Sequence, residues 1–382
     1  MIHVPHDSCI NSWITQFENT EIWQSWRVAT ALGMIGAVLG RNVAVGYGAT
    51  GSIWPNTSVM LVGESGDGKD TILRPSGRLL EKLHVPYIYG KTMEAFRLSL
   101  HRCGNPAVGF LIAGELKDFI GTKDYQSGIL QSITDILSNN DTVDITTKQD
   151  LVTGGARAIH NPTLTMFAAS TRDWLQTIEG IMSGGFLPRF VLAVEGSKRD
   201  AGIKMIPNPG RYESVAQRDR ITAAGARFES SLAEIQHRYV VEGPRTITNT
   251  LDGQYFYDNW YENRFRYFSP ATQAYANRSG NLVQKIAMLM AISRGHPYMD
   301  VPDYEFAGAL VVDAAHKLEQ AVVQLPREVA AAHDTLRILP ATLSEIISTL
   351  AVKHNPSYIK QGFLYLTDTE QAHWKGKTLH KT

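Results

Sequence analysis

A short apolar run, Ser58-Val59-Met60-Leu61-Val62, passes without interruption into Gly63-Glu64-Ser65-Gly66-Asp67-Gly68-Lys69-Asp70-Thr71. No other stretch of the chain restricts its fold so tightly. Runs of this kind form strands buried on both faces. The glycines that follow let backbone N–H groups close round an anion where a helix begins. Gly63, Gly68 and Lys69 satisfy the spacing G-x-x-x-x-G-K, in which the lysine reaches the outer phosphates of a nucleotide. Residues Gly63, Glu64, Ser65, Gly66, Asp67, Gly68, Lys69, Asp70 and Thr71 are therefore expected to hold ATP, with Lys69 following the transferred phosphate. A serine or threonine ordinarily comes after the lysine and binds Mg2+; here Asp70 stands in its place and Thr71 comes next. Two arrangements keep the metal: Thr71 supplies the hydroxyl, or Asp70 binds Mg2+ through water. The competing reading is a glycine-rich turn that binds nothing.

The rest of the chain extends this into an α/β fold. Apolar runs at 87–89, 108–113, 163–169 and 190–194 are expected strands, and helices are expected at 92–103 and 126–138. Strands alternating with helices point to a mainly parallel sheet covered on both faces, the P-loop NTPase class of fold. Residues 143–148 and 156–160 are expected to pair as a hairpin. The helix after the phosphate loop is expected to stop at Pro75 and resume over 76–82. Helices over 8–20 and 21–40 precede the core, and helices over 213–238, 251–268, 271–294 and 302–324 follow it. Four segments result: a helical N-terminal segment (1–45), the ATPase core (46–212), a helical lid (213–330) and a small tail (335–382). The tail reads as helix 342–353, a turn at Asn355-Pro356 and a strand 363–366, which is winged-helix-like.

Composition narrows the classes. Thirty-seven Lys and Arg balance 37 Asp and Glu, so bulk positive charge cannot drive nucleic-acid binding, although a local basic groove remains open. A 43% hydrophobic and 19% charged chain is a folded one. Two cysteines, Cys9 and Cys103, are too few for a disulfide scaffold, and the first twenty residues lack a secretory pattern, so a cytoplasmic setting is expected. The most apolar run, Val28–Leu39, has 12 residues against the roughly 20 that span a membrane. No membrane partner is expected. No zinc site is expected either, because the 12 histidines form no H-x-x-x-H or H-E-x-x-H pattern.

An ATPase also needs a carboxylate at the end of a neighbouring strand. Phe110-Leu111-Ile112-Ala113-Gly114-Glu115 supplies Glu115, the expected water activator with a share in the metal, whereas Gly114 occupies the position of a second acid. Ser170 and Thr171 end the next strand, where a hydroxyl either senses the γ-phosphate or caps the helix that begins near Trp174. Arg189, between a Gly-rich turn and a strand, suits the role of a cation reaching a neighbouring subunit's phosphate. Arg278 is a second candidate phosphate sensor, or else a solvated arginine at a helix start.

Taken in order, these motifs resemble a family of phage, plasmid and bacterial P-loop ATPases, formerly a domain of unknown function, that often form the helicase half of primase–helicase proteins. The residues that carry the resemblance are Leu39-Gly40-Arg41, Pro55-Asn56, the loop from Val62 to Lys69, Gly114-Glu115-Leu116 with Phe119, and Tyr125-Gln126-Ser127-Gly128. Asn161-Pro162, Ala169-Ser170-Thr171, Gly184-Gly185-Phe186-Leu187-Pro188-Arg189-Phe190 and Lys285-Ile286-Ala287-Met288-Leu289 continue it. Asp70 and Gly114 depart from the pattern. The resemblance implies an AAA+/RecA-like ring, expected as a homo-hexamer, in which Arg189 completes the neighbour's ATP site and hydrolysis drives movement on single-stranded or forked DNA. A primase or another replication protein is an implied partner. Lys123, Tyr125, Lys148 and Arg157 are the candidate DNA contacts, since a cation beside an aromatic suits phosphate and base together. The tail, with six Lys/Arg against three Asp/Glu, suits duplex DNA or a partner protein. Two other functions compete: an ATP-controlled helicase loader, and a nucleotide kinase suggested by Gly68-Lys69-Asp70-Thr71.

Overall fold

The computed structural model describes residues 3–46, 51–90, 93–120, 133–138, 142–145, 158–177, 185–196, 198, 214–243, 245–269, 272–322, 335, 339–350, 359–360, 363–364, 366–367, 372–375 and 378–381. The chain divides into two compact units, residues 1–320 and 321–382.

In the first unit, helices α1 (Ile10–Gln16) and α2 (Gln24–Leu39) are followed by the short strands β1 (Val43–Gly46) and β2 (Ser52–Ile53). Then come β3 (Ser58–Val62), α3 (Lys69–Lys82), α4 (Met93–His101), β4 (Val108–Ala113) and α5 (Leu116–Ile120). A two-stranded antiparallel pair, β5 (Thr142–Asp144) with β6 (Ala158–His160), precedes β7 (Thr163–Ser170) and β8 (Phe190–Val194). The central sheet runs β4-β7-β3-β8 and is parallel throughout. This mixed α/β architecture is compatible with a P-loop- or Rossmann-like core. Every residue of β3, β7 and β8 is buried, which is why their sequences are mostly apolar and carry no charged residue. The run at 87–89 contributes only one parallel bridge, Tyr87 to Phe110, on the free side of β4.

Helix α2 covers the sheet. It is apolar on nearly all sides, because α1 and α3 pack on it as well as the strands. Glycine permits the close approach: a Cβ on Gly33 would lie 2.7 Å from the Phe167 ring and 2.8 Å from Val59. Each fully buried Leu or Ile in this layer contributes about 1.5–3 kcal/mol. Trp26, also on α2, donates its indole N–H to the Ala193 carbonyl at 3.0 Å and ties the helix to β8.

Helix α3 does not stop at Pro75. The missing amide removes the helix bond to the Thr71 carbonyl, but Ile72, Leu73 and Leu80 anchor the helix on its buried side. Longer helices follow at Val215–Gln236, Leu251–Asn263, Gln273–Ser293 and Val301–Val322. Ser214 and Thr250 cap the first two by accepting the N–H groups of Gln217 and Gly253. The helix Gln273–Ser293 packs against α2 and against the turn Leu187–Arg189 that leads into β8.

In the second unit, strand Ala341–Thr342 runs into helix Leu343–Leu350, and strands Ala372–Lys375 and Thr378–Lys381 complete a three-stranded antiparallel sheet. Thr342 and Glu345 exchange hydrogen bonds at the helix start, with the Thr342 N–H 2.7 Å from the Glu345 carboxylate. The strand expected at 363–366 is helical instead: residues 363–364 and 366–367 are helix. Ile359, Phe363 and Leu366 lie at i, i+4 and i+7, one helical face, and all three enter the small core with Ile346, Leu350 and Leu379, while Leu364 is exposed.

Candidate functional site

The loop between β3 and α3 sits at the carboxyl ends of the parallel strands, the edge at which open α/β sheets bind ligands. Its entry is fixed by the Gly63 N–H, which donates to the Ser170 carbonyl at 3.3 Å and so joins the loop to the end of β7. A Cβ on Gly63 would lie 2.7 Å from the Trp26 ring, so the residue has to be glycine. Within the loop, the buried Asp67 carboxylate accepts the Glu64 N–H at 2.8 Å. Gly66 and Gly68 take positive φ values of 86° and 80°, the left-handed conformation that glycine adopts without strain. Gly68 is also the residue from which α3 starts, with Lys69 in the first turn.

Lys69 folds back over this loop. Its ammonium donates to the carbonyls of Gly63 at 3.1 Å and Glu64 at 2.7 Å and lies 5.9 Å from the Trp26 ring centre. Burial lowers its pKa, and the charges of Asp67, Glu115 and Asp70 work against that shift.

Glu115 follows the end of β4 and lines a cavity of about 320 Å³ together with Ser65, Ser170, Thr171 and Trp174. Ser170, at the end of β7, and Thr171 both line that cavity. The Thr171 hydroxyl accepts the Trp174 N–H at 3.3 Å and caps the helix Arg172–Thr177, and the Ser170 hydroxyl donates to the Thr171 carbonyl at 3.3 Å. Asp70 lies on the exposed side of α3, 3.3 Å from Arg74, and one carboxylate oxygen is 3.3 Å from where a Cβ on Gly114 would stand. The Thr71 hydroxyl turns back toward the loop, 3.4 Å from the Cβ position of Gly68.

No group of three or more His, Cys, Asp or Glu able to hold a metal by itself occurs among the described residues. An Mg2+ that arrives with a nucleotide needs less, one or two carboxylates plus phosphate oxygens, and the oxygen donors Asp70 and Glu115 fit that requirement. Neither cysteine is activated: burial pushes the Cys9 thiol up to about 12 and raises that of Cys103.

Two residues at the loop are absent from the sequence motifs. Lys198 donates to the Asp67 carbonyl at 2.9 Å and pairs with Glu21 at 3.6 Å, placing a second cation beside Lys69. Glu195, buried just past β8, gives its backbone N–H to the Val62 carbonyl at 2.8 Å. Its carboxylate accepts from Ser25 at 2.5 Å and from Lys317 at 2.9 Å. The cluster of basic residues after β8 was the only sequence sign of Lys198, and nothing local marks Glu195.

Arg189 and Arg278 stand elsewhere. Ser58 pairs with Phe190 and Val62 with Val194, so Arg189 lies at the amino end of β8 while the phosphate loop leaves the carboxyl end of β3. Roughly 16 Å of strand separates the two edges. Arg278 shares the Arg189 edge: both line a cavity of about 650 Å³ with Arg41 and Lys285. Within one chain, neither arginine reaches a phosphate held by Lys69. Lys123, Tyr125, Lys148 and Arg157, the candidate DNA contacts, lie outside the described residues. No described helix is long and apolar enough to cross a membrane.

No protein-family model matches the chain. No curated protein matches it either.

Proposed function

We propose that this chain is an ATP-hydrolysing motor that assembles with copies of itself and moves on single-stranded DNA, a helicase of the replicative type. The observation that carries the ATPase reading is the strand–loop–helix of residues 58–82, in which Gly66 and Gly68 adopt left-handed conformations and Lys69 opens α3 just past the end of β3, between β7 and β8. In this reading the N–H groups of residues 64–68 and the Lys69 ammonium bind the phosphates. The ammonium leaves its carbonyl partners for the γ-phosphate as negative charge spreads there. Glu115 takes the proton of the attacking water, and Ser170 orients that water or the phosphate from the opposite wall. Asp70 and Glu115 would hold Mg2+ here, and the metal would supply neutralisation of the nucleotide's phosphate charge.

The position of Arg189 supports the assembly reading. A guanidinium at the edge opposite its own loop can complete only another copy's site, so the motor reading requires contact between subunits. Movement on DNA is supported by the resemblance in the ordered motifs. It is also supported by the strand–helix–helix–strand–strand order of the second unit, which is winged-helix-like.

The test is ATP turnover by the full chain with and without single-stranded DNA, paired with displacement of a strand from a forked duplex. Turnover stimulated by DNA, unwinding that needs ATP and Mg2+, and loss of both in Lys69→Ala are expected. Turnover without either response to DNA would replace the helicase by a loader. Phosphate transfer to a nucleoside monophosphate would replace it by a kinase. Undiminished turnover in Lys69→Ala would remove the phosphate loop from the mechanism.

A further inference from the structure

The cavity at the amino edge of the sheet collects positive charge, and among the described residues none that lines it is acidic. Lys285 is on the helix Gln273–Ser293, seven residues after Arg278, so two helical turns place both on one face. That face meets Arg189 on the turn before β8, and Arg41 closes another wall, its guanidinium 4.6 Å from the centre of the Trp54 ring. The charges feel one another. Burial and then Arg278 lower the pKa of Arg189 to about 10, and the field of Arg278 on it exceeds the opposing field of Asp135. Burial and then Arg189 lower that of Lys285 to about 8.

Their hydrogen bonds go to neutral oxygens. Arg189 donates to the Ser138 hydroxyl, at 3.1 Å from Nε and 2.6 Å from Nη2, and to the Gly185 carbonyl. Lys285 spends two of its three N–H groups on Asn56, at 3.0 Å to the carbonyl and 3.2 Å to the side-chain oxygen. Among the described residues no carboxylate pairs with Arg189, Arg278 or Lys285. Like charges held together in a concave site without a counterion raise the folded state's energy, and a bound anion relieves it.

We propose that this cavity is a second oxyanion site, built for the di- or triphosphate of a nucleotide. Several cations, two of them planar guanidiniums, suit phosphate oxygens taken in pairs better than a single carboxylate. The volume of about 650 Å³ falls in the range of roughly 300–1,000 Å³ usual for small-molecule sites. It is also larger than one carboxylate fills. A nucleic-acid backbone would want a groove running on past the cavity, because it is bound at successive phosphates. The phosphates have two possible sources: a nucleotide held on another copy's loop, or free nucleotide. The charges of this cavity carry the inference, and only the first of these sources also rests on the reading of the phosphate loop.

The experiment uses the full chain carrying Lys69→Ala, with its loop disabled, titrated calorimetrically with inorganic tripolyphosphate. Saturable binding at one site, weakening as salt rises, is expected. It should fall about tenfold or more in Arg278→Glu, the size of effect that one charge-assisted contact supplies. Arg278 is exposed, so that variant should keep the parent's fold by circular dichroism; Lys285→Met provides a second loss two helical turns along the same face. Two arms then identify the source. If the phosphates belong to a neighbour, tripolyphosphate and Arg278→Glu both block ATP-dependent assembly, and mixtures of Arg189→Ala with Lys69→Ala subunits recover turnover that neither shows alone. If they belong to free nucleotide, dilute wild-type monomers bind two equivalents of ATP, and Lys69→Ala binds one. Absence of saturable binding, equal binding in Arg278→Glu, or stoichiometric displacement by a short DNA strand would overturn the proposal. Undiminished ATP turnover in Lys69→Ala would strike the phosphate loop alone and leave the result for this cavity standing.

Discussion

Asp70 and Gly114 face each other across the candidate site: the Asp70 carboxylate oxygen lies 3.3 Å from the Cβ position of Gly114. We propose that the two departures from the resembled pattern are one exchange: the Asp70 carboxylate on α3 stands beside the space that an acidic side chain at position 114 would enter.

This exchange can be reversed. Asp70→Ser should lower Mg2+-dependent ATP turnover and weaken nucleotide binding in Mg2+ while sparing binding without the metal. Gly114→Asp alone should also fail, because two carboxylates would then crowd one position. The double variant Asp70→Ser/Gly114→Asp should recover most of the loss. Nucleotide affinity measured across an Mg2+ titration checks it; a double variant worse than both singles would show that the two positions are independent.

Glu115→Gln should bind ATP with near-normal affinity and turn it over about 10²–10⁴-fold more slowly, since the amide keeps size and hydrogen bonding but takes no proton. Filter binding alongside steady-state turnover separates the two effects. Equal losses in both would give Glu115 a binding role instead.

Lys285 makes stability and binding depend on pH. Its folded pKa of about 8 lies below the usual 10.5. Between those values the unfolded chain holds a proton that the folded chain lacks, so this group makes stability rise with pH across that window and penalises the fold below it. Lys285→Met should flatten the corresponding part of the pH profile of unfolding. A bound polyphosphate should raise the lysine's pKa, giving proton uptake near pH 8. Calorimetry in two buffers of different ionisation enthalpy measures it, and the uptake should vanish in Lys285→Met.

Glu195→Gln should destabilise the first unit. The carboxylate is buried and accepts from both Ser25 and Lys317. Burial alone would lower the Lys317 pKa, but the bonds and charges of Glu195 and Asp313 outweigh it and raise it. Because Lys317 is one-third exposed and keeps Asp313 at 3.1 Å, the loss should be about 1–3 kcal/mol, less than for a fully buried pair broken on one side. Thermal unfolding of wild type and variant measures it.

What the chain's order of residues settled by itself was local. The run 58–62, the glycines and Lys69 follow one another, so strand, loop and helix start are dictated by neighbours in sequence and were legible as such. The apolar runs at 108–113, 163–169 and 190–194 announced buried parallel strands for the same reason. Local pattern misled where a competing contact decided. The apolar cluster at 363–366 looks like a strand until Ile359, one helical turn earlier, is counted on the same face. Pro75 looks like a helix end until the buried side of α3 is considered.

Tertiary structure alone decided which charges meet. The order β4-β7-β3-β8 brings Glu115 and Ser170 to the edge that carries Lys69 and sends Arg189 to the opposite one. The crossing of the helix Gln273–Ser293 over the start of β8 then adds Arg278 and Lys285 to Arg189. Periodicity can say that Arg278 and Lys285 share a face of their helix, but not what that face meets. Sequence patterns record the backbone's local preferences, whereas electrostatic fields act through space between residues the chain sets far apart.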